Sequence, residues 1–292
     1  MPAGGPRFAP GTLGEVLAQR ARAALACGAL RPVETVPEWV ADAGARFLVR
    51  RIGNLARKEL ETAQRPGNPF LPWEEALFVA EISDSHVALL NKFNVIAHHL
   101  LIVTRRFEDQ ELLLSDADFA ALLACMAEFP SLGFYNGGAV AGASQSHKHL
   151  QLVPLPLTPE GPAVPAQPLL DAARFKGGYG TVPAFPFAHA LCPRPLSAKE
   201  THELYLRMLR HAGIPPWEAA DGLRQSAAYN LLLGPSWMLL VPRTREFFDG
   251  ISVNALAYAG SLFVRSDQQL ERIREAGPMA VLAAVGRPQV TG

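Results

Sequence analysis

The sequence predicts an α+β protein: antiparallel sheet in two similar halves of one chain, with flanking helices. Three observations predict it. Short apolar runs of strand length, such as Leu77–Ile82 and His86–Leu90, are separated by turn residues. Helix-start signatures at Ser115-Asp-Ala-Asp118 and Ser197-Ala-Lys-Glu200 fall between groups of such runs. Finally, Tyr229–Arg243 echoes Asn94–Arg105, each having an Asn, apolar residues, a turn, a run ending in Val, and then Arg.

From the N-terminus, residues 1–10 hold Gly and Pro and read as loose. Thr12 stands where a helix cap would. Leu13, Val16, Leu17, Ala21, Ala24 and Leu25 give a helical stripe, and Gly28 ends it. A second short helix is expected over Pro37–Ala45, which makes residues 1–45 a helical extension. Phe47–Ile52 reads as a strand and opens the first half, residues 46–156. Asn54 to Leu60 carries Arg57 and Lys58, and Gln64–Pro72 is turn-rich. Leu89–Arg105 reads as strand, turn, strand, with the turn near Ala97-His98. Asn91 and Lys92 interrupt its apolar run, either as the polar blunting of an edge strand or as contacts to ribose and phosphate. His98 and His99 read as ordinary surface groups of the turn. Ser115 opens a helix to about Glu128, and Leu132–Asn136 is a strand feeding a small-residue turn.

Ten prolines fall between Pro154 and Pro195, so residues 157–196 read as a connecting segment wrapping the surface. Lys176–Gly180 is a turn within it, and Phe185–Leu191 reads as a strand. The second half, residues 197–292, begins with the helix to about His211. It continues through the hairpin around Gly234-Pro235 and closes with loop and strand over Asn254–Arg265. A terminal helix is expected from Ser266 to near Gly277, with loose residues after it.

Composition narrows the function classes. Apolar residues make up 49% and charged residues 18% of the 292, as expected of a globular chain with a substantial core. Lys plus Arg equals Asp plus Glu, 27 each, so no global positive field favours nucleic acid or an anionic membrane surface. Cys27, Cys125 and Cys192 are too scattered for a disulfide framework, and the N-terminus lacks a signal-peptide apolar core. A cytoplasmic enzyme is expected.

The chemistry-bearing stretch is Gly142-Ala-Ser-Gln-Ser-His-Lys-His-Leu-Gln-Leu-Val-Pro154. His147, His149 and Gln151 are spaced by two, the period of a strand, so they line one face. The small-residue run before them suits close approach of an anion to backbone N–H groups. Two imidazoles beside a phosphate cradle point to nucleophilic phosphorus chemistry. His-x-His is also a metal half-site, but no cysteine partners accompany it. Spacing alone does not say which histidine attacks.

These residues resemble the signature of the diadenosine polyphosphate phosphorylases (ATP adenylyltransferases) of the histidine-triad superfamily. Asn68–Pro72, Leu89–Asn94, Phe134–Gly138 and Asn254–Arg265 are similar too, and the likeness runs from about residue 45 to about 285. It implies a histidine-triad-like fold, His149 as nucleophile and His147 as its orienting partner. Lys58 is then the lysine that reaches substrate phosphates. Asn91, Lys92, Asn136, Gly142, Ala143, Ser144, Gln145, Gln151, Asn254, Ser261 and Arg265 bind the dinucleotide. Gln151 stands where the hydrolase branch has a third histidine. A carboxamide does not titrate near neutrality, so this site suits transfer to phosphate over activation of water.

The expected reaction is phosphorolysis of diadenosine tetraphosphate to ADP and ATP through an adenylyl-histidine. A divalent cation such as Mg²⁺ rides on the phosphates and no organic cofactor is needed. The partners are the dinucleoside polyphosphate and inorganic phosphate, and the chain is a monomer or homodimer. A hexose-1-phosphate nucleotidylyltransferase shares His-x-His-x-Gln, but Lys148 replaces the proline usual there and cysteine metal ligands are missing. A non-catalytic dinucleoside polyphosphate sensor is the third reading.

Overall fold

The computed structural model describes residues 6–53 and 67–289. Its strands are β1 (Thr35–Asp42), β2 (Ala45–Ile52), β3 (Phe78–Glu81), β4 (His86–Leu90), β5 (Leu100–Thr104), β6 (Ser131–Gly137), β7 (His149–Pro154), β8 (Arg174–Lys176), β9 (Tyr179–Thr181), β10 (Ala190–Pro193), β11 (Trp217–Ala219), β12 (Gly222–Arg224), β13 (Tyr229–Leu233), β14 (Trp237–Pro242), β15 (Phe247–Phe248), β16 (Ile251–Ser252) and β17 (Ser261–Val264). Helices among the described residues are α1 (Leu13–Ala26), α2 (Asp116–Met126), α3 (Gln167–Asp171), α4 (Ala198–His211), α5 (Ala255–Tyr258), α6 (Asp267–Ala276) and α7 (Pro278–Val285). None is long and apolar enough to cross a membrane.

A ten-stranded antiparallel sheet organises the chain, in the order β3-β4-β5-β7-β6-β13-β14-β10-β9-β8. Read from either edge, the two halves have one topology: 3-4-5-7-6 and 8-9-10-14-13, each with a helix before its inner pair. They meet at β6 and β13, where Asn136 pairs with Asn230 and Tyr135 with Leu231. The predicted pair of similar halves is therefore present, but the sequence echo was out of step. The β13–β14 hairpin is the counterpart of β6–β7, and β5 is the counterpart of β10. Repeated Val-rich strands look alike wherever they stand, so only the pairing order separates them. β14 stands where β7 stands and carries no histidine.

Helices α1, α2 and α4 cover one face. Leu13, Leu17, Ala21 and Ala24 of α1 recur at helical spacing and are buried there with Leu204, Tyr205, Met208 and Leu209 of α4. Each leucine or methionine among them stabilises by roughly 1.5–3 kcal/mol when fully buried, each alanine by less. The Ser115 box forms as predicted: its hydroxyl accepts from Asp118 N–H, and Asp118 accepts from Ser115 N–H. Ser197 accepts from the Glu200 amide, while the Glu200 carboxylate bonds the Ser197 hydroxyl instead of its N–H.

Three predicted elements are corrected. Residues 37–45 are not a helix. Thr35–Asp42 is a strand, joined to β2 by Ala43-Gly44, both at positive φ, the two-residue turn that matches strand twist. Pro37 is tolerated because β1 is an edge strand. The 157–196 segment does not wrap the surface. Leu157, Val164, Leu169, Leu170, Val182, Phe185 and Phe187 are buried in the core beneath the second half, and β8–β10 belong to that half's sheet. Proline removes donors without removing apolar surface, so a Pro-rich stretch can still fill a core. Residues after Gly277 form α7, with Met279, Val281, Leu282 and Val285 buried. β17 pairs in parallel with β2, so the end of the chain closes against the N-terminal strands.

Candidate active site

Strand β7 lies between β5 and β6, with Gln151 opposite Leu101 and Phe134. Leu150 and Leu152 face the helical layer, as the period of two requires. His149 and Gln151 face the other way, where Val87, Leu89, Leu101, Val103 and Phe70 form a small apolar wall. Phe70 covers both imidazoles, its ring centroid 5.3 Å from His149 and 5.6 Å from His147.

The geometry distinguishes the histidines. His149 Nδ1 lies 2.8 Å from its own neighbour's carbonyl, His147 O. A carbonyl only accepts, so the proton sits on Nδ1 and the Nε2 lone pair is free. His147 is locked at both nitrogens. Nε2–H donates to Thr104 O at 2.8 Å, and Nδ1 accepts from Asn68 Nδ2 at 2.9 Å. Of the two, only His149 retains a nitrogen able to attack phosphorus. His147 orients it through its backbone oxygen. Gln110 secures the strand: its Oε1 accepts from His149 N–H at 2.9 Å, and its Nε2 donates to Asn136 O at 2.9 Å.

Burial pushes the His149 imidazole down to about 4 and lowers His147 as well. The nucleophile is thus neutral at any pH above about 5. The acid limb of kcat/KM is expected near pH 4–5, well below the ordinary histidine value near 6.5. A pH–rate profile checks this, and a limb centred on 6.5 would show the site to be wetter than it is built.

Gln151 Oε1 accepts from His99 Nε2 at 3.0 Å, and His99 Nδ1 meets Asn91 Nδ2 at 3.2 Å. His99 is buried, and burial lowers its pKa to about 4. This corrects the reading of His99 as a surface group, while His98, at positive φ, is exposed. The missed signal was the period: His99, Leu101 and Val103 share one face. Asn91 is spent on His99 and on the turn, where its Oδ1 accepts from Phe93 N–H. Lys92 forms an ion pair with Glu74. Both side chains thus already have protein partners.

The turn before β7 is only partly the cradle expected. Gly142 N–H and Ala143 N–H close the turn onto Ala139 O and Gly138 O. The amides of Ser144 and Gln145 are among those of the turn with no acceptor among the described residues. Gly142 has φ +90, and a Cβ there would lie 3.0 Å from Asn254 Cβ and 3.1 Å from both Asn254 Cα and Val253 O. Two of those contacts are backbone. Gly142→Ala is expected to destabilise by roughly 1–3 kcal/mol and to lower nucleotide affinity, read by denaturation and by titration.

The side-chain oxygen of Asn136 has protein partners as well. Its Oδ1 accepts from Asn230 Nδ2 at 2.8 Å and from Ala255 N–H at 3.0 Å. Asn230 in turn donates to Ala141 O and accepts from the buried Arg243. This network ties the turn to the start of α5, capped by Asn254. Sequence reading missed Asn68, Thr104, Gln110, Asn230 and Arg243 because each acts through a partner distant in the chain. Asn254, expected to contact nucleotide, packs on the turn at Gly142. Ser261 is fully buried in β17, its hydroxyl unpartnered among the described residues, and Arg265 is exposed beyond it, its amide donating to Gln269. The structure joins neither to the histidines. Lys58 lies outside the described residues. Among those residues no group of three or more His, Cys, Asp or Glu could hold a metal ion.

The chain matches the Ap4A phosphorylase N-terminal domain over residues 4–172 and the ATP adenylyltransferase C-terminal domain over residues 183–288. It is 26% identical to Protein APA1 of Saccharomyces cerevisiae across 97% of each chain. It is 27% identical to diadenosine 5',5'''-P1,P4-tetraphosphate phosphorylase 2 of the same yeast, across 71% of this chain and 72% of that one. The crystal structure of yeast Ap4A phosphorylase Apa2 shares the fold, with a TM-score of 0.78 at 23% identity, covering 96% of this chain and 98% of that one. The same enzyme in complex with Ap4A gives 0.77 at 24% identity, over 96% and 99%. The two matched domains span both halves of the sheet, and the chain belongs to the Ap4A phosphorylase family.

Proposed function

We propose that the protein phosphorolyses diadenosine tetraphosphate, with inorganic phosphate, to ADP and ATP. The observation that carries this is the tautomer of His149: Nδ1–H held by the His147 carbonyl, with Nε2 free. The names of similar proteins support it: a yeast relative is a diadenosine 5',5'''-P1,P4-tetraphosphate phosphorylase, and the similar solved structures are of yeast Ap4A phosphorylase Apa2 with Ap4A and with AMP. The Nε2 lone pair forms an N–P bond to an α-phosphorus. The P–O bond to the distal ATP breaks, and ATP leaves with the electron pair. Phosphate oxygen then attacks the adenylyl-histidine, the N–P bond breaks, and ADP departs. In the intermediate the imidazole keeps Nδ1–H and carries positive charge, which the His147 carbonyl stabilises.

Positioning and electrostatics do most of the work of such a transfer. The Ser144 and Gln145 amides face the phosphates, Gln151 donates to a phosphoryl oxygen, and Lys58 and Arg265 are the candidate cations. A divalent ion such as Mg²⁺ travels with the polyphosphate, held by substrate oxygens and water. Because Gln151 moves no proton, water is a poor acceptor.

Incubation with labelled diadenosine tetraphosphate, with and without phosphate, tests the proposal. Turnover to ADP and ATP in equal amounts is expected only when phosphate is present, with at most one equivalent of ATP released without it. Phosphate-independent AMP would mean a hydrolase instead.

A further inference from the structure

The hydrogen bonds leading to Gln151 run in one direction. The Phe93 amide can only donate, and it donates to Asn91 Oδ1 at 3.3 Å. That fixes the other end of the Asn91 side chain as Nδ2, the donor facing His99 Nδ1 at 3.2 Å. His99 Nδ1 must then accept, so the imidazole proton sits on Nε2. Nε2–H donates to Gln151 Oε1 at 3.0 Å. The carbonyl end of Gln151 is thereby occupied, and the NH₂ end is directed away from His99. Backbone supports the arrangement, since Asn91 N–H donates to His99 O at 3.0 Å and closes the hairpin between β4 and β5.

We infer that Asn91 and His99 are positioning residues that fix the polarity of Gln151, so that it presents its NH₂, and not its carbonyl, to the phosphoryl group on His149. The inference rests on the phosphorolysis reading for its consequence in turnover. The polarity matters because a phosphoryl group offers only acceptors. A glutamine reversed by 180° would set its carbonyl dipole against developing negative charge, and nothing in the amide itself prefers one orientation. A neutral imidazole of fixed tautomer supplies the preference. Burial of His99 keeps it in that neutral form across the working range. Gln151 faces Leu101, two residues from His99 on the neighbouring strand, so the register that brings His149 into place also sets this contact.

The test uses the full chain. His99→Phe is expected to lower kcat by about tenfold to hundredfold, the scale of losing one oriented donor, with KM held within about threefold. His99→Gln, which returns an N–H donor near the Nε2 position, recovers part of the loss. In a Gln151→Met background, His99→Phe is expected to change kcat by less than about twofold, because His99 acts only through Gln151. Losses that multiply would overturn the inference.

Histidine ¹⁵N spectra of the unsubstituted protein give a second readout, independent of turnover and of how the variants fold. The signal that disappears in His99→Gln is expected to report Nε2–H with Nδ1 unprotonated. An Nδ1–H tautomer sinks the inference even in an active enzyme. An Nε2–H tautomer in a protein that does not turn over the dinucleotide leaves the polarity standing and removes the function instead.

Discussion

His149→Ala is expected to lower phosphorolysis by roughly 10⁴-fold or more and to abolish trapping of an adenylyl-enzyme. The loss is this large because no neighbour can substitute. His147 sits 1% exposed with both nitrogens committed, to Thr104 O and to Asn68. His99 is committed to Gln151 and Asn91. Folding is expected to be little changed, since the backbone bonds between His149 and Gln110 survive the substitution. Quenched reactions with α-labelled dinucleotide, run without phosphate, read the intermediate directly. An adduct that persists in His149→Ala would move the nucleophile elsewhere. His147→Asn is expected to be milder: the carbonyl that holds His149 Nδ1 belongs to the backbone and remains.

The second large effect concerns stability. Lys148, between the two histidines, points to the opposite face and is 2% exposed. Its Nζ bonds Glu108 at 2.7 Å and Leu113 O at 3.1 Å, and lies 3.6 Å from Asp118. Asp118, also buried, accepts from His86 Nε2 at 2.9 Å and caps α2 through Ser115. Asp118→Ala leaves a buried ammonium poorly compensated and is expected to cost about 3–5 kcal/mol. Chemical denaturation measures it, and a cost below about 1 kcal/mol would show that the cluster contributes nothing of that kind. The double substitution Asp118→Leu, Lys148→Met removes both charges and is expected to recover much of the loss.

The same cluster sets an acid limit. Burial alone would raise the Asp118 pKa, but the His86 hydrogen bond and the Lys148 charge outweigh it and hold the carboxyl at about 2. Its folded value is below its unfolded one near 3.9. Its contribution is therefore fully present above about pH 4 and is lost as pH falls toward 2. Stability curves of the unsubstituted protein are expected to drop in that window, and the drop is smaller in the Asp118→Leu, Lys148→Met protein.

Much of this architecture could be read directly from the chain. Strand period placed His147, His149 and Gln151 together before any coordinates, and Ser115 and Ser197 announced α2 and α4 through local hydrogen bonds. The glycine-led turn needs a positive φ at Gly142, and the residue itself says so. These signals act over a few residues, where backbone geometry and side-chain chemistry are fixed by neighbours in sequence. Strand β1 was hidden because its hairpin partner, not its own residues, decides between strand and helix. Phe185 and Phe187 sat in a segment whose prolines suggested exposure, yet the core beneath the second half takes them.

What the sequence alone determined is the identity and spacing of the reacting groups: two imidazoles and a carboxamide in alternation, His147 just before β7 and His149 and Gln151 on it, after a small-residue turn. What only tertiary structure decided is which atoms of His147 and Gln151 are free. Thr104, Asn68, His99 and Gln110 are up to about eighty residues from the groups they hold; the pairing of β5 with β7 brings up Thr104 and His99, and the loops before β3 and after β5 bring up Asn68 and Gln110. The His149 tautomer is set locally, by the carbonyl two residues before it, but the tautomer of His147 and the polarity of Gln151 are set by whatever distant group sits opposite each nitrogen and oxygen, and no local rule of the chain contains that information.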